Sequence, residues 1–354
     1  MMAIEELMRF LPDGHTAALL TDEISCRYLS GFSFTDGAVL VTRDDTVLLT
    51  DARYIEAARR QCPEMTVKQF DRLYDTLNEI FFSGNITTVW IEEDAVTLSR
   101  FSQMQKRLSV TLDASASLSE KLSSMRMVKS AHEIACIERA QRITERAYTQ
   151  VLNYLAPGVE ERRIAVEFEH LVRLYGGERV AFDPICIAGV NTSLPHGVPT
   201  DNTVREGDFF TFDIGAVVDG YHSDMTRTVA IGHATDRMRA VYDIVLSAQD
   251  AAMNAIRPMS RASDIDCAAR SVIEQHGYGA YFGHATGHGV GLEIHERPAV
   301  SSRCDTPLST NMVITDEPGI YLPGEFGVRI EDTVVVTDTG ARSLSLIPKE
   351  LEIL

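Results

Sequence analysis

One stretch constrains this chain more than any other: Phe209-Phe-Thr-Phe-Asp213-Ile-Gly-Ala-Val-Val-Asp-Gly-Tyr-His-Ser-Asp224-Met-Thr226. Asp219-Gly220 stands between two apolar runs, and an Asp-Gly pair in that setting calls for a two-residue hairpin turn with positive φ. With those residues at the turn, Val218 pairs with Tyr221, Asp213 faces Thr226 and Asp224 faces Gly215. The two aspartates then become diagonal neighbours on one face of the sheet, about 7 Å apart at Cα. Phe210, Phe212 and Ile214 take the opposite face and must be core. Two carboxylates converging at the edge of a core are costly unless a cation sits between them.

Composition narrows the classes. A chain of 354 residues, 45% hydrophobic and 24% charged, is ordinary for a soluble globular protein of two domains or one large one. A net charge of -18, with no lysine or arginine run, argues against nucleic acid or an anionic membrane as partner. The start, Met1-Met-Ala-Ile-Glu-Glu-Leu, shows neither the basic nor the apolar region of a secretion signal, and no apolar run approaches a membrane span. The six cysteines are scattered without a CxxC, which fits free buried thiols in a reducing cytoplasm.

The first third alternates short apolar strands, at 16–20, 37–41, 46–49 and 86–91, with helical patterns at 51–61, around Leu73 to Phe81, and at 99–108. This is an α/β domain, and it carries neither a GxGxxG after a strand nor a GxxxxGK[ST]. The small polar run from Ala114 opens an inter-domain linker reaching Val128. The amino-terminal domain is placed at 1–124 and a second domain at 125–354. Ser130-Ala-His-Glu133 is a capping box opening a long helix with Ile134, Ile137, Ala140, Ala147 and Val151 on one face. Further helices are expected at 160–175, 237–256 and 263–276, the last with Ser263 as its N-cap.

Six other residues, scattered along this second domain, could hold chemistry. His288 lies among Gly283, Gly287, Gly289 and Gly291, where the backbone can approach something closely, and a histidine flanked by glycines has little reason to be core. Glu317 ends an apolar strand before Pro318 and, taken alone, reads as a solvated strand end. Arg329 and Glu331 share a face of a strand running from Gly327, and alone read as a surface ion pair. His196 and His295 are each weak alone. Taken together, two aspartates, one histidine and two glutamates form a ligand set of oxygen and nitrogen, suited to two hard or borderline divalent ions sharing carboxylates. With no thiol among them, a structural zinc site is not expected.

In order and spacing, Asp213, Asp224, His288, Glu317 and Glu331 resemble the five metal ligands of the pita-bread metallopeptidases, and most closely the Xaa-Pro peptidases (prolidase and aminopeptidase P). The strings Leu194-Pro-His-Gly, Gly220-Tyr-His-Ser-Asp-Met-Thr-Arg-Thr, Thr286-Gly-His-Gly-Val-Gly-Leu-Glu-Ile-His-Glu, Glu317-Pro-Gly-Ile-Tyr and Gly327-Val-Arg-Ile-Glu-Asp-Thr also resemble that family. Tyr28-Leu-Ser-Gly-Phe and Thr50-Asp-Ala-Arg-Tyr are similar to its amino-terminal domain. The resemblance implies a two-domain α+β protein: an α/β creatinase-like domain, then a pita-bread domain with a curved antiparallel sheet backed by helices. It implies Asp213 on one metal, Asp224 and Glu331 bridging, and His288 and Glu317 on the other metal. It also implies Glu317 as proton shuttle, His196 and His295 as non-ligand histidines steadying the substrate carbonyl and tetrahedral intermediate, and Arg329 as support for the ligand carboxylates. The ions are expected to be manganese, with cobalt, zinc or iron as alternatives. Substrates are expected to be proline-containing di- or oligopeptides, and the assembly a homodimer. A bond before proline has no N–H to grip, and polarising its carbonyl needs none. One departure concerns the arginine that many prolidase-like members carry after the His-Glu-x-Pro string: Ala299 stands there, and Arg297 precedes the proline. Another is Ala285, where glycine is frequent. Two rival readings are a non-catalytic binding protein of the same fold and a same-fold hydrolase of another substrate.

Overall fold

Asp219 and Gly220 turn the chain with φ of 49° and 78° in the computed structural model, which describes residues 2–354. Val218 pairs with Tyr221 and Asp213 with Thr226, the register the turn demands. The hairpin is nonetheless interrupted. Gly215 and Asp224 stand between two short ladders, and the Gly215 backbone lies so close to Ser223 that a Cβ there would sit 2.1 Å from its carbonyl oxygen. Asp224 is thereby freed from regular strand geometry.

The chain divides after Met125 into two units. In the first, six strands (β1, Thr16–Leu20; β2, Gly37–Val41; β3, Thr46–Thr50; β4, Thr66–Gln69; β5, Thr88–Ile91; β6, Thr111–Asp113) form one sheet ordered β4-β3-β2-β1-β5-β6. The helix α1 (Met2–Phe10) precedes β1, and α2 (Glu23–Ser30), α3 (Ile55–Gln61), α4 (Leu73–Ser83) and α5 (Leu98–Arg107) lie between successive strands. β1 is buried along its whole length. Ala18 and Leu20 pack into one apolar cluster and Ala17 and Leu19 into another, so it reads as a continuous apolar run rather than an alternating one. α3 begins four residues later than the sequence suggests, since the Asp51 carboxylate accepts the Arg53 N–H at 2.8 Å and holds the chain in a turn. The expected linker is not an open segment. It folds as α6 (Ser117–Met127), with Leu118, Leu122 and Met125 buried.

The second unit opens with α7 (Ala131–Val151), whose Ser130–Glu133 capping box is formed as expected, and α8 (Glu161–Leu174). The strands β7 (Arg179–Val180), β8 (Ile185–Ala188), β9 (Phe209–Ile214), β10 (Ala216–Val218), β11 (Tyr221–His222) and β12 (Met225–Ala230) follow, then α9 (Asp236–Ala255) and α10 (Ala262–Gln275). The last strands are β13 (Gly287–Gly289), β14 (Glu296–Val300), β15 (Val313–Asp316), β16 (Gly319–Leu322), β17 (Phe326–Arg329), β18 (Asp332–Val336) and β19 (Ala341–Ser343). Every ladder between these named strands is antiparallel: β12-β9-β8, β11-β10-β7, β14-β13-β15-β18-β19 and β16-β17. Phe210, Phe212, Ile214 and Met225 pack against Tyr148, Val151, Ile164 and Phe168 of α7 and α8. α9 and α10 cover Ile314, Ile320, Val328 and Val334. Burying side chains of this size contributes about 1.5–3 kcal/mol each, which frees the opposite sheet face to carry polar groups.

Two expectations are corrected. α10 starts at Ala262, so Ser263 lies inside its first turn and donates to Asp305 (3.1 Å) instead of capping. The strand expected to run on from Gly327 is broken at Ile330-Glu331: β17 pairs with β16 and β18 with β15, while the Glu331 N–H donates to Thr226 of β12 at 3.1 Å. Among the described residues no helix is long and apolar enough to cross a membrane.

Candidate active site

The side chains singled out in the sequence line one cavity of about 470 Å³. Asp213, Asp224, His288, Glu317, Glu331, Arg329, His196 and His295 all face it. Each is set by its backbone. Asp213 projects from β9 on the face opposite Phe212 and its carboxylate receives Arg329 Nη2 at 2.6 Å. Asp224, at the hairpin's break, has its carbonyl fastened by the Thr333 hydroxyl (2.9 Å). Glu331 occupies the link between β17 and β18, where Arg227 Nη1 donates to its carbonyl at 2.6 Å. Its Oε2 accepts the Thr226 hydroxyl at 2.7 Å. Arg329 and Glu331 are therefore a buried set, 4% and 2% exposed, and the arginine's carboxylate partner is Asp213.

His288 sits on β13, and the flanking glycines are explained by close approach. A Cβ on Gly287 would meet the Thr315 carbonyl oxygen at 2.1 Å, and one on Gly289 the Arg297 carbonyl oxygen at 2.4 Å. Nδ1 of His288 lies 3.0 Å from the Gly289 carbonyl oxygen and so carries the proton there. That leaves the Nε2 lone pair facing the acids, 3.6 Å from Asp224 Oδ2 and 3.4 Å from Glu317 Oε1. Glu317 follows β15 with its N–H on the Thr286 carbonyl (2.8 Å) and its carboxylate on the Thr315 hydroxyl (3.2 Å).

The electrostatics of this arrangement is unbalanced. Burial, then Asp213 and Glu317, drives Asp224 well above the usual carboxylate range. Burial, then Asp224, does the same to Glu331. Glu317 is pushed up to about 8, chiefly by burial. Burial also pulls His288 down to about 4, so its imidazole is neutral. Asp224 Oδ1 and Glu331 Oε1 are buried without any hydrogen-bond partner among the described residues. Leaving such an acceptor unsatisfied costs about 1–3 kcal/mol, more for a charged group. Donor atoms of Asp224, His288 and Glu331 lie within 4.8 Å of one another. Orphaned carboxylate oxygens beside a free imidazole nitrogen form a donor set that fits a divalent cation.

The walls add apolar and hydrogen-bonding groups. Phe182, Ile185, Ile294 and Ala299 face the cavity. The His295 ring stands edge-on to His288 with centroids 4.3 Å apart, and the carbonyl of Pro195, just before His196, accepts Arg329 Nη1 at 3.3 Å. Two wall or second-row residues were not among the sequence candidates. The Tyr321 hydroxyl accepts Arg329 Nη1 at 2.6 Å and reaches His284 Nε2 at 2.9 Å. His284, its neutral form favoured because burial lowers its pKa to about 4, lines the cavity directly.

Residues 135–338 match the model of metallopeptidase family M24, and residues 12–128 that of the creatinase/prolidase N-terminal domain. A Xaa-Pro dipeptidase of Pyrococcus furiosus is 35% identical over 352 residues, spanning 98% of this chain and 99% of its own. A solved Xaa-Pro dipeptidase of Bacillus anthracis superposes with a TM-score of 0.95 at 37% identity, covering 100% of this chain and 99% of that one. A solved X-Pro aminopeptidase of Thermotoga maritima does so with a TM-score of 0.91 at 35% identity, covering 98% and 99%. With its creatinase-like first unit and antiparallel, helix-backed second unit, the chain belongs to metallopeptidase family M24.

Proposed function

We propose that the protein hydrolyses the peptide bond before proline in Xaa-Pro dipeptides or longer peptides beginning Xaa-Pro, using two divalent ions. Asp213, Asp224, His288, Glu317 and Glu331 would hold the ions, with Asp224 and Glu331 shared between them. The observation that carries this is a pair of buried carboxylates, Asp224 and Glu331, each with a partnerless oxygen, whose ligand atoms converge within 4.8 Å with that of His288. The names of the two dipeptidases and the aminopeptidase to which the chain is similar support the substrate class.

When bound, such ions supply an acidified water and polarise the scissile carbonyl. The chain's own residues do the rest. Glu317, at the cavity wall, takes a proton from the attacking water and passes it to the leaving proline nitrogen. His196 and His295, at the cavity wall, donate to the carbonyl oxygen as it gains charge. Arg329 fixes Asp213 from behind and is itself braced by Tyr321 and the Pro195 carbonyl. Phe182, Ile185 and Ile294 offer the apolar wall that a proline ring requires. This reading takes manganese as the working metal, a homodimer as the assembly and the cytoplasm as the compartment; the six cysteines are all free thiols. The test is cleavage of Ala-Pro and Ala-Pro-Ala by metal-stripped protein reloaded with manganese, cobalt, zinc or iron. Cleavage that needs metal supports the reading, and no cleavage of either peptide with any metal overturns it. Light scattering checks the dimer.

A further inference from the structure

Behind His295, away from the proposed ligands, lies a second cluster of charges that the mechanism above does not use. The Lys129 side chain is 1% exposed and the Glu296 side chain 5%, with Nζ 3.2 Å from Oε2. Lysine is almost never buried this fully without a specific partner. Its backbone is pinned as well: the Lys129 N–H donates to the Asn311 carbonyl at 3.0 Å, and Val128 bridges to Met312. The other oxygen of Glu296 receives the Glu293 N–H (3.2 Å) and Arg126 Nε (3.2 Å) and pairs with Arg126 Nη2, which also reaches Glu293 (2.6 Å).

The carboxylate of Glu296 is thus folded back over its own loop. It presses so closely on Gly291 that a Cβ there would lie 2.5 Å from Oε2. The Gly291 carbonyl is held by the His222 N–H at 2.8 Å, and the Gly291 N–H donates to the Glu293 carbonyl at 3.0 Å. The loop joining β13 to β14 is therefore tied down around Gly291, Glu293 and Glu296, with Ile294 and His295 facing the cavity between the ties. His295 is exposed, and the contact its imidazole makes among the described residues is the edge-on His288 ring. An imidazole this exposed depends on its loop for direction.

We infer that the buried Lys129–Glu296 pair, assisted by Arg126, is a positioning device that aims His295 into the cavity. Its activity readout rests on the peptidase reading above; its structural readout does not. Replacing one partner of a buried pair strands the other, so two variants are made: Lys129→Met, and Lys129→Met with Glu296→Gln. Each is compared with wild type, with His295→Ala, and with His295→Ala added to the same change. The full-length proteins are labelled with 13C-histidine, and the His295 Cε1–H resonance is assigned by its loss in His295→Ala. The expected result is a displaced His295 resonance, unchanged metal content, and a fall in kcat/KM for Ala-Pro of about 10- to 100-fold, the range for losing the outer support of a site group. In the His295→Ala background the same change has no further effect on kcat/KM, because the residue it aims is gone. The inference is overturned by an unmoved His295 resonance, by a loss of the same factor in both backgrounds, by loss of metal, or by failure of both variants to fold. If wild-type protein cleaves no Xaa-Pro peptide, the function reading fails and the resonance alone decides the positioning role.

Discussion

Glu331 and Asp332 are adjacent in the chain and buried almost equally, at 2% and 4% exposure, yet they belong to different electrostatic regions. Asp332 receives Arg227 Nη2 at 2.7 Å and the Ser343 hydroxyl at 3.0 Å. Arg227 in turn is saturated, donating also to the carbonyls of Thr226, Glu331, Ile347 and Pro348. Glu331 has one hydroxyl on one oxygen and nothing on the other, and Asp224 beside it is likewise short of a partner. A buried carboxylate satisfied by the protein's own cation is architecture. One left unsatisfied next to an unprotonated imidazole nitrogen is half of a binding site. Asp316 shows a third outcome. Among the described residues both its oxygens lack partners, and burial, then Asp332, raises its pKa. Asp316 is not among the described residues whose ligand atoms converge, so burial alone does not make a ligand.

The sharpest way to break this contrast is Asp224→Ala. It removes a proposed shared ligand, and the metal-loaded protein is expected to lose roughly a thousandfold or more in kcat/KM, about 4 kcal/mol of transition-state stabilisation. Elemental analysis should show the metal lost as well; full retention of two ions would show that Asp224 is not a ligand. Arg227→Met attacks the other region. It strands Asp332 and several carbonyls, and urea unfolding should show a loss of about 3–5 kcal/mol. Where that variant folds, a divalent ion at 100 times its Kd should still stabilise it by about 2.7 kcal/mol, whereas Asp224→Ala should show no such gain.

Which of these features the chain displays before folding follows from how local each one is. The hairpin was legible because an Asp-Gly turn fixes register over its own strands, so the Asp213–Thr226 pairing followed from two residues. The break at Gly215 was not, since nothing in the Asp-Gly turn marks where the ladder ends. Alternation along one strand put Arg329 and Glu331 together, and they do meet, both bonding the Thr226 hydroxyl. Their environment was misjudged, because burial here depends on Asp213 and Tyr321 arriving from other strands. Lys129 and Glu296 lie far apart in sequence, and nothing local to either marks them as partners. The same holds for the helix in place of an open linker at 117–127: its polar residues conceal Leu118, Leu122 and Met125, which find their core only in the folded unit.

Glu92 in the first unit sharpens the contrast from outside the catalytic region. It is 2% exposed, has the Thr21 and Asp22 N–H groups at 3.0 and 3.3 Å on one oxygen, and is pushed up to about 7 by burial above all. Below an ordinary value near 4.5 it is protonated in folded and unfolded chains alike. Between there and about 7 the unfolded chain releases its proton while the folded one keeps it, so stability falls as pH rises through that window and levels off above it. The full contribution is roughly 3 kcal/mol. Glu92→Gln keeps an oxygen for the two N–H groups and should remove this loss. Amide exchange of β1 and β5, followed from pH 4 to 8, should show the variant stabilised at the alkaline end and flat across the window. An unchanged slope would mean that Glu92 is charged in the folded protein, held there by the Ser25 hydroxyl and the two backbone N–H groups.

The smallest expected effect lies where the two kinds of region meet. Arg329 satisfies Asp213 as Arg227 satisfies Asp332, but Asp213 also faces the cavity beside the unsatisfied acids. Its guanidinium reaches Asp213, Tyr321, the Thr226 hydroxyl and the Pro195 carbonyl at once. Arg329→Lys keeps the charge but has no planar fork to span those four partners. A fall of about 10- to 100-fold in metal affinity or kcat/KM is expected, the range for losing the outer support of a ligand. Titration with manganese, followed by activity and by thermal shift, separates the outcomes. Restored activity at high manganese places the arginine's role in holding Asp213 for the ion. A kcat that stays low at saturation places it instead in the Tyr321–His284 chain, since that line of hydrogen bonds reaches the cavity wall without passing through a proposed ligand. Full activity at low manganese would mean that charge alone, without the fork, is enough to hold Asp213.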